Sequence, residues 1–202
     1  MRGNIMTYQQ FKGLAKTHPT GVVLLEGRRV ISAREARQAT ALATHLAEQF
    51  PHLLFRSGNA LGSDHAFSEG IAAVDPARLQ IVAPYPSHRK NARYTHAVYD
   101  SPESLTPGLK AEIAAKTIAA SPHNSGLIRS LDKSGPLAAK AAYLLRDTMK
   151  VTGHSPDFPK PICALFYIHP DDPEAGGTGH TIRVCRQQNV PHAFQNSWHH
   201  WK

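Results

Sequence analysis

The sequence predicts an α/β fold, an open and mainly parallel sheet of about five strands flanked by helices, with a helical insertion between the third and fourth strands. Two observations carry this expectation. Short apolar runs of strand length recur along the chain, and segments with helical periodicity lie between them. Parallel neighbours need a crossover of about a dozen residues, which those helical segments supply.

The elements follow in order. A short helix is expected around Tyr8–Lys16, and Val22-Val23-Leu24-Leu25 between glycines 21 and 27 reads as a buried strand. Ser32 with Glu35 three residues on is a capping box, and Ala36, Ala39, Ala43, Leu46, Ala47 and Phe50 mark one face of a helix over 32–49. Leu53-Leu54-Phe55 is a second strand, followed by the turn SGNALGSD and a helix from Ser63 to Ala73. Gln80-Ile81-Val82-Ala83 is the third strand. Pro107 and Pro136 each suit the first turn of a helix, where the missing N–H is not needed, and residues 121–135 between those helices read as loop. Ile162 to Ile168 gives the strongest strand signal; a helix over 178–188 stopping at Asn189 and a short strand 191–194 complete the chain.

With 202 residues, the chain is long enough for one well-buried core, and a single domain over 1–202 is expected, with its core in 21–86 and 137–195 and the insertion at about 87–136. No apolar run approaches the roughly 20 residues of a membrane span, which excludes a membrane partner on this reading. The stretch MRGNIMTYQQFKGLAKTHPT has no apolar signal-peptide core, so a cytoplasmic location is expected. Cys163 and Cys185 form no CxxC pair and read as buried thiols. Thirteen histidines include no HExxH motif, so neither a metal nor another cofactor is expected. The net charge of +8 lies entirely in residues 1–150, because residues 151–202 hold four Lys/Arg against four Asp/Glu. Such a balance suits an anionic partner, a nucleotide or single-stranded nucleic acid, as it also suits a merely basic surface.

In an open α/β sheet, ligands bind beyond the carboxyl ends of the strands. Three glycine-bearing loops qualify there. Gly176-Gly177-Thr178 before a helix has the form of a phosphate cradle: glycines admit close backbone approach, a helix start offers unpaired N–H groups, and the hydroxyl adds a donor. A plain turn has the same letters, and no G-x-x-x-x-G-K-[ST] loop occurs. In the 57–64 turn, Asp64 either caps its own helix or bonds a ribose or a neighbouring loop, and Glu69 faces either the cleft or solvent. After the first strand come Arg28 and Arg29, of which strand alternation turns at most one toward the crevice, Arg28 being the candidate phosphate partner. His180, at a helix start, is a candidate donor to a ligand, and His88, Arg89, Lys90 and Arg93 with Tyr85 and Tyr94 form a basic, aromatic loop of the kind that holds single strands.

Together, SGNALGSDHAFSEGI, LLRDTMKVTGH and GGTGHTIRVCRQQNVPH resemble the SLOG superfamily, the Rossmann-like group that includes DNA-processing protein A and the LONELY GUY-type phosphoribohydrolases. The likeness covers about residues 21–86 and 137–195 and is nearest to the branch with S-G-x-A-x-G-x-D and G-G-T-x-x-T loops. It implies a nucleotide-type ligand held by Ser57, Gly58, Gly62, Asp64, Gly176, Gly177, Thr178 and Thr181, with Arg146 as a charge partner, and it implies a homodimer. Arg146 also suits its helix C-terminus, where a cation is favourable. Three departures bear on activity. Arg183 stands where LONELY GUY-type enzymes carry their catalytic glutamate, Leu61 replaces an arginine usual in the branch, and Asp147 replaces the asparagine beside its arginine. Cleavage of an N-glycosidic bond is carboxylate work, leaving Glu69 and Asp64 as the catalytic candidates. The readings are thus a nucleotide receptor, a hydrolase of a nucleoside monophosphate or an ADP-ribose-like compound, and a single-stranded DNA binder.

Overall fold

The computed structural model describes residues 6–201; residues 1–5, part of the stretch read above for a leader, and Lys202 lie outside it. Six strands form one wholly parallel sheet: β1 (Val22–Gly27), β2 (Leu54–Ser57), β3 (Leu79–Val82), β4 (Val98–Asp100), β5 (Cys163–Tyr167) and β6 (His192–Phe194). Their order is β4-β3-β2-β1-β5-β6, so the chain winds outward from β1 in one direction and returns to β1's other side with β5. This is a Rossmann-like doubly wound sheet, and the direction of winding reverses between β1 and β5.

The helices are α1 (Tyr8–Thr17), α2 (Ala33–Gln49), α3 (Ser63–Ala72), α4 (Pro107–Ala120), α5 (Ser125–Ile128), α6 (Pro136–Thr152), α7 (Gly176–Gln187) and α8 (Gln195–Trp198). Strand pleating sorts the core. Val23 and Leu25 of β1 pack on the face that receives Phe11 of α1, Leu42 and Leu46 of α2, and Phe67 of α3. Leu24 points the other way, into a cluster with Ile182 and Val184 of α7, while Leu145 and Met149 of α6 cover Val82. Ser32 caps α2 as its spacing predicts, with Glu35 returning a bond to the cap backbone. Both cysteines are free and buried, which pushes their thiol pKa values up.

Three expectations are corrected. The region between β3 and α4 contains a sixth strand, β4, whose three residues VYD carry no apolar run and pair only with β3 at the sheet edge. The segment 121–135 includes the single-turn helix α5 rather than loop alone. Helix α7 begins at Gly176, two residues before the expected start, so the paired glycines form its first turn instead of preceding it.

One core feature is unusual. Arg56, in β2, is fully buried, and no carboxylate pairs with it among the described residues. Its Nε and Nη2 donate to Gln80 Oε1 at 3.0 and 2.7 Å, and Nη1 donates to the Lys150 carbonyl at 3.0 Å. That carbonyl lies in the last turn of α6, where the helix carries partial negative charge, so the helix end stands in for a counterion. Burial lowers the guanidinium pKa to about 9.

Candidate functional site

A cavity of about 840 Å³ opens at the carboxyl ends of β1 and β5, where the winding reverses. Strand β1 runs apolar until its last two residues, and the final side chain, Glu26, turns into the floor. Asp64 from α3 and Arg146 and Asp147 from α6 complete that floor. Lys150 lies beneath it with no exposure and joins Glu26 Oε2 at 2.6 Å and Asp147 Oδ1 at 2.8 Å. Arg146 pairs with Asp147 at 3.0 Å and donates from Nη1 to the Gly58 carbonyl at 2.7 Å. These five ionisable side chains are buried, where an uncompensated charge would be costly: Glu26, Arg146, Asp147 and Lys150 are linked to one another, and Asp64 is held by backbone N–H groups.

Burial dominates their titration. Desolvation raises Glu26 to about 8, against the opposing pull of Lys150, and Asp147 and Asp64 push it the same way. Desolvation also raises Asp64, although Lys150 and Arg146 favour its charged form. Asp147 is the carboxyl held below its usual range, since Arg146 and Lys150 outweigh its burial. Thr181 supports this pattern: its hydroxyl lies 2.9 Å from Glu26 Oε1 and 3.0 Å from the Gly177 carbonyl. One hydroxyl proton cannot serve both acceptors, and a proton on Glu26, donated to Thr181, satisfies all three groups.

The walls come from three loops and the insertion. Arg28 and Arg29 follow β1, Gly176-Gly177-Thr178 open α7, and Asp172 and Glu174 precede it. Lys140 and Tyr143 of α6 line the side nearest Arg29, whose guanidinium lies 5.3 Å from the Tyr143 ring centroid. His123, Asn124 and Leu127 close the cavity from above, which makes the insertion part of the site. Arg28 is ion-paired with Glu35, and Arg183 with Glu174, whereas Arg29 and Lys140 have no carboxylate partner among the described residues.

The sequence-derived residues separate into two groups. Arg28, Asp64, Arg146, Gly176, Gly177 and Thr178 line the cavity. Ser57, Gly58, Gly62, His180 and Thr181 do not; they hold the lining in place. Gly62 is the N-cap of α3 at φ 80°, and Ser57 Oγ bonds the Asp64 carbonyl. His180 is wholly buried between Ser121 Oγ at 2.8 Å and Thr148 Oγ1 at 3.0 Å, and desolvation lowers it to about 4, leaving a neutral ring that links α4, α6 and α7. Asp64 does not cap its own helix: its two oxygens accept from Gly27 N at 3.1 Å and Gly58 N at 3.2 Å, cross-linking the first two loops.

Other placements differ from expectation. Both Arg28 and Arg29 line the cavity, because the strand ends at Gly27 and its alternation ends with it. Glu69 lies outside the cavity lining, 52% exposed on the flank of α3, where Tyr94 Oη donates to its Oε1 at 2.8 Å. The basic loop is engaged internally: Arg89 donates to the Asn59 carbonyl, and Arg93 lies 4.4 Å from the Tyr99 ring centroid. Arg183, in the place of a glutamate, donates to the Ala120 carbonyl and Ser121 Oγ, tying α4 to α7. Glu26 escaped the sequence reading. Its signal was a carboxylate closing an apolar strand, VVLLEG, matched by a lysine within the apolar helix pattern LLRDTMKV.

No family model and no curated protein matches the chain. Among solved structures it is similar to DNA processing protein A from Helicobacter pylori, described for its mode of binding single-stranded DNA. The match has 15% identity and a TM-score of 0.45, covering 90% of this chain and 67% of that one.

Proposed function

We propose that the cavity binds a nucleotide or nucleotide-derived ligand and that Asp64, Glu26 and Asp147 receive its sugar while cations at the mouth receive its phosphate. The observation that carries this reading is the polarity of one cavity: carboxyl groups on a buried floor, and at the rim Arg29, stacked on Tyr143, and Lys140, both without a carboxylate partner among the described residues. Carboxylates accept hydrogen bonds from hydroxyl groups, and guanidinium and ammonium groups donate to phosphate. The uncapped start of α7 adds N–H donors to the same wall. The SLOG-like motifs support the same ligand class, with Ser57, Gly58, Gly62, His180 and Thr181 acting behind the lining residues.

Turnover is the second reading, favoured by Glu26. Its carboxyl lines the cavity floor beside Asp64 and Asp147, and burial raises its pKa to about 8, the tuning that suits a general acid, a role that Glu69 on the outer flank is not placed to fill. A thermal-shift screen over nucleoside monophosphates, NAD-related compounds, cyclic nucleotides and a short single-stranded oligonucleotide tests both. A ligand at a hundredfold excess over its Kd adds about 2.7 kcal/mol of stability. A stabilising nucleotide recovered intact by chromatography establishes a receptor, and one recovered as free base and sugar phosphate establishes an enzyme. Stabilisation by the oligonucleotide alone, lost steeply with added salt, would replace both with DNA binding.

A further inference from the structure

The three most exposed large apolar side chains among the described residues are Val30, Leu61 and Leu137, at 82%, 61% and 59%. Scattered singly, such residues are ordinary on a protein surface. Here each adjoins a residue that lines the cavity: Val30 follows Arg29, Leu61 follows Ala60, and Leu137 lies one helical turn before Lys140. Contacts draw their segments together. Ser63 N donates to the Arg28 carbonyl at 3.1 Å, and a Cβ on Gly62 would overlap the Arg29 carbonyl, so the loops carrying Val30 and Leu61 touch. Arg29 in turn reaches the Tyr143 ring of α6, and Arg89 Nη1 donates to the Asn59 carbonyl at 3.0 Å, which adds the 85–96 loop to the same surface. These four segments, 28–31, 57–64, 85–96 and 136–144, hold six Lys/Arg and a single carboxylate, Asp64, which is buried. Arg28 is paired with Glu35, but no carboxylate pairs with Arg29, Arg89, Lys90 or Lys140 among the described residues.

We propose that this surface docks an acidic protein segment bearing aliphatic side chains, held by Val30, Leu61 and Leu137 and oriented by Arg29, Arg89, Lys90 and Lys140. Charge decides the sign of the partner, since unpaired cations with no exposed carboxylate among them attract an acidic chain and repel a basic one. A second copy of this chain, docked symmetrically through the same face, would set cation against cation, so the partner is a different molecule. Side-chain type decides its class. The bases of a single strand stack on aromatic faces, and the rings here are engaged: that of Tyr143 meets the Arg29 and Arg146 guanidiniums, at 5.3 and 5.6 Å from its centroid, and Tyr94 is half-buried with its hydroxyl on Glu69. Membrane interfaces favour tryptophan and phenylalanine, and the four segments contain neither. What the surface leaves open is aliphatic. Burial against other aliphatic groups supplies the affinity, because exposed ion pairs contribute little of their own. The proposal does not depend on what the cavity binds, although the shared Arg29 and Lys140 place the docked segment beside its mouth.

The test uses the full chain at physiological salt, with fluorescence anisotropy as the readout. The probes are a peptide of Glu and Leu in an amphipathic helical pattern, the same peptide with serine for each leucine, vesicles of phosphatidylglycerol with phosphatidylcholine, and a short single-stranded oligonucleotide. The Glu/Leu peptide is expected to bind about tenfold more tightly than the Glu/Ser peptide. The variant Leu61→Ser/Leu137→Ser, altered only at exposed positions, is expected to keep the parent's melting temperature and to bring the two peptides within about twofold of each other. Lys90→Glu, outside the cavity lining, is expected to weaken both peptides alike by slowing their association. Equal affinity for the two peptides, or an undiminished preference in Leu61→Ser/Leu137→Ser, overturns the proposal. Vesicles or oligonucleotide bound in place of the Glu/Leu peptide, and released by the same variant, overturn it in favour of lipid or nucleic acid. A dimer of the parent protein that this variant dissolves in analytical ultracentrifugation overturns it in favour of a second copy. Should the double variant fail to fold, Val30→Ser carries the same comparison.

Discussion

Two of the three glycine-bearing loops at the carboxyl edge of the sheet, the 57–64 loop and the α7 turn, look alike as letters and do opposite things. In the 57–64 loop the backbone is locked: Gly58 donates to Asp64, accepts from Arg146 and leaves no room for a side chain, since a Cβ there would overlap the Arg146 guanidinium. In the α7 turn, Gly176 sits at φ 58° with nothing within 4 Å of where its Cβ would be. The first loop is scaffold fastened to buried charge, and the second opens on the cavity. Glycine therefore marks close approach at Gly58 and a positive φ at Gly176.

The largest effect should come from breaking the fastened loop. Gly58→Ala forces Arg146 out of a buried charge cluster, and a loss of about 3 kcal/mol or more is expected in denaturant unfolding. The next effect is a pH dependence. Glu26 is raised from 4.5 to about 8 in the folded protein, so its contribution is fully present below the unfolded value and is lost as pH rises through the folded one. Thermal melts of the parent protein should show stability falling over that window, and Glu26→Gln should flatten the slope. The smallest effect belongs to the open turn: Gly176→Ala should cost about 1 kcal/mol for its positive φ, while reducing affinity for any ligand that uses the turn. Equal losses in Gly58→Ala and Gly176→Ala would erase the distinction between the loops.

The sheet was legible in the sequence wherever burial on both faces made a continuous apolar run, as in β1 and β5, and α2 was legible from its capping box and periodicity. Strand β4 was not, because an edge strand of three residues needs little apolar content to pair. Of the site, the glycine turns and Arg146 were visible as motifs, but motif letters do not tell lining from support. His180 and Thr181 carry polar atoms whose partners, Ser121, Thr148 and Glu26, lie 32 to 155 residues away, so their burial became visible only in three dimensions. Glu69 and Asp64 belong to the same helix, five positions apart, and that spacing sets them on different sides of it.

Helix α6 sets a length. Lys140, Tyr143, Asp147 and Lys150 recur at three- and four-residue steps, so one stripe of the helix runs from the mouth of the cavity to beneath its floor. Ten residues at about 1.5 Å each make that stripe about 15 Å long, and it cannot stretch. Arg56 pins its lower end to the middle of the sheet through the Lys150 carbonyl. The helix thus sets the depth from the mouth of the cavity to its floor, and slipping it by one turn would change that depth by about 5.4 Å.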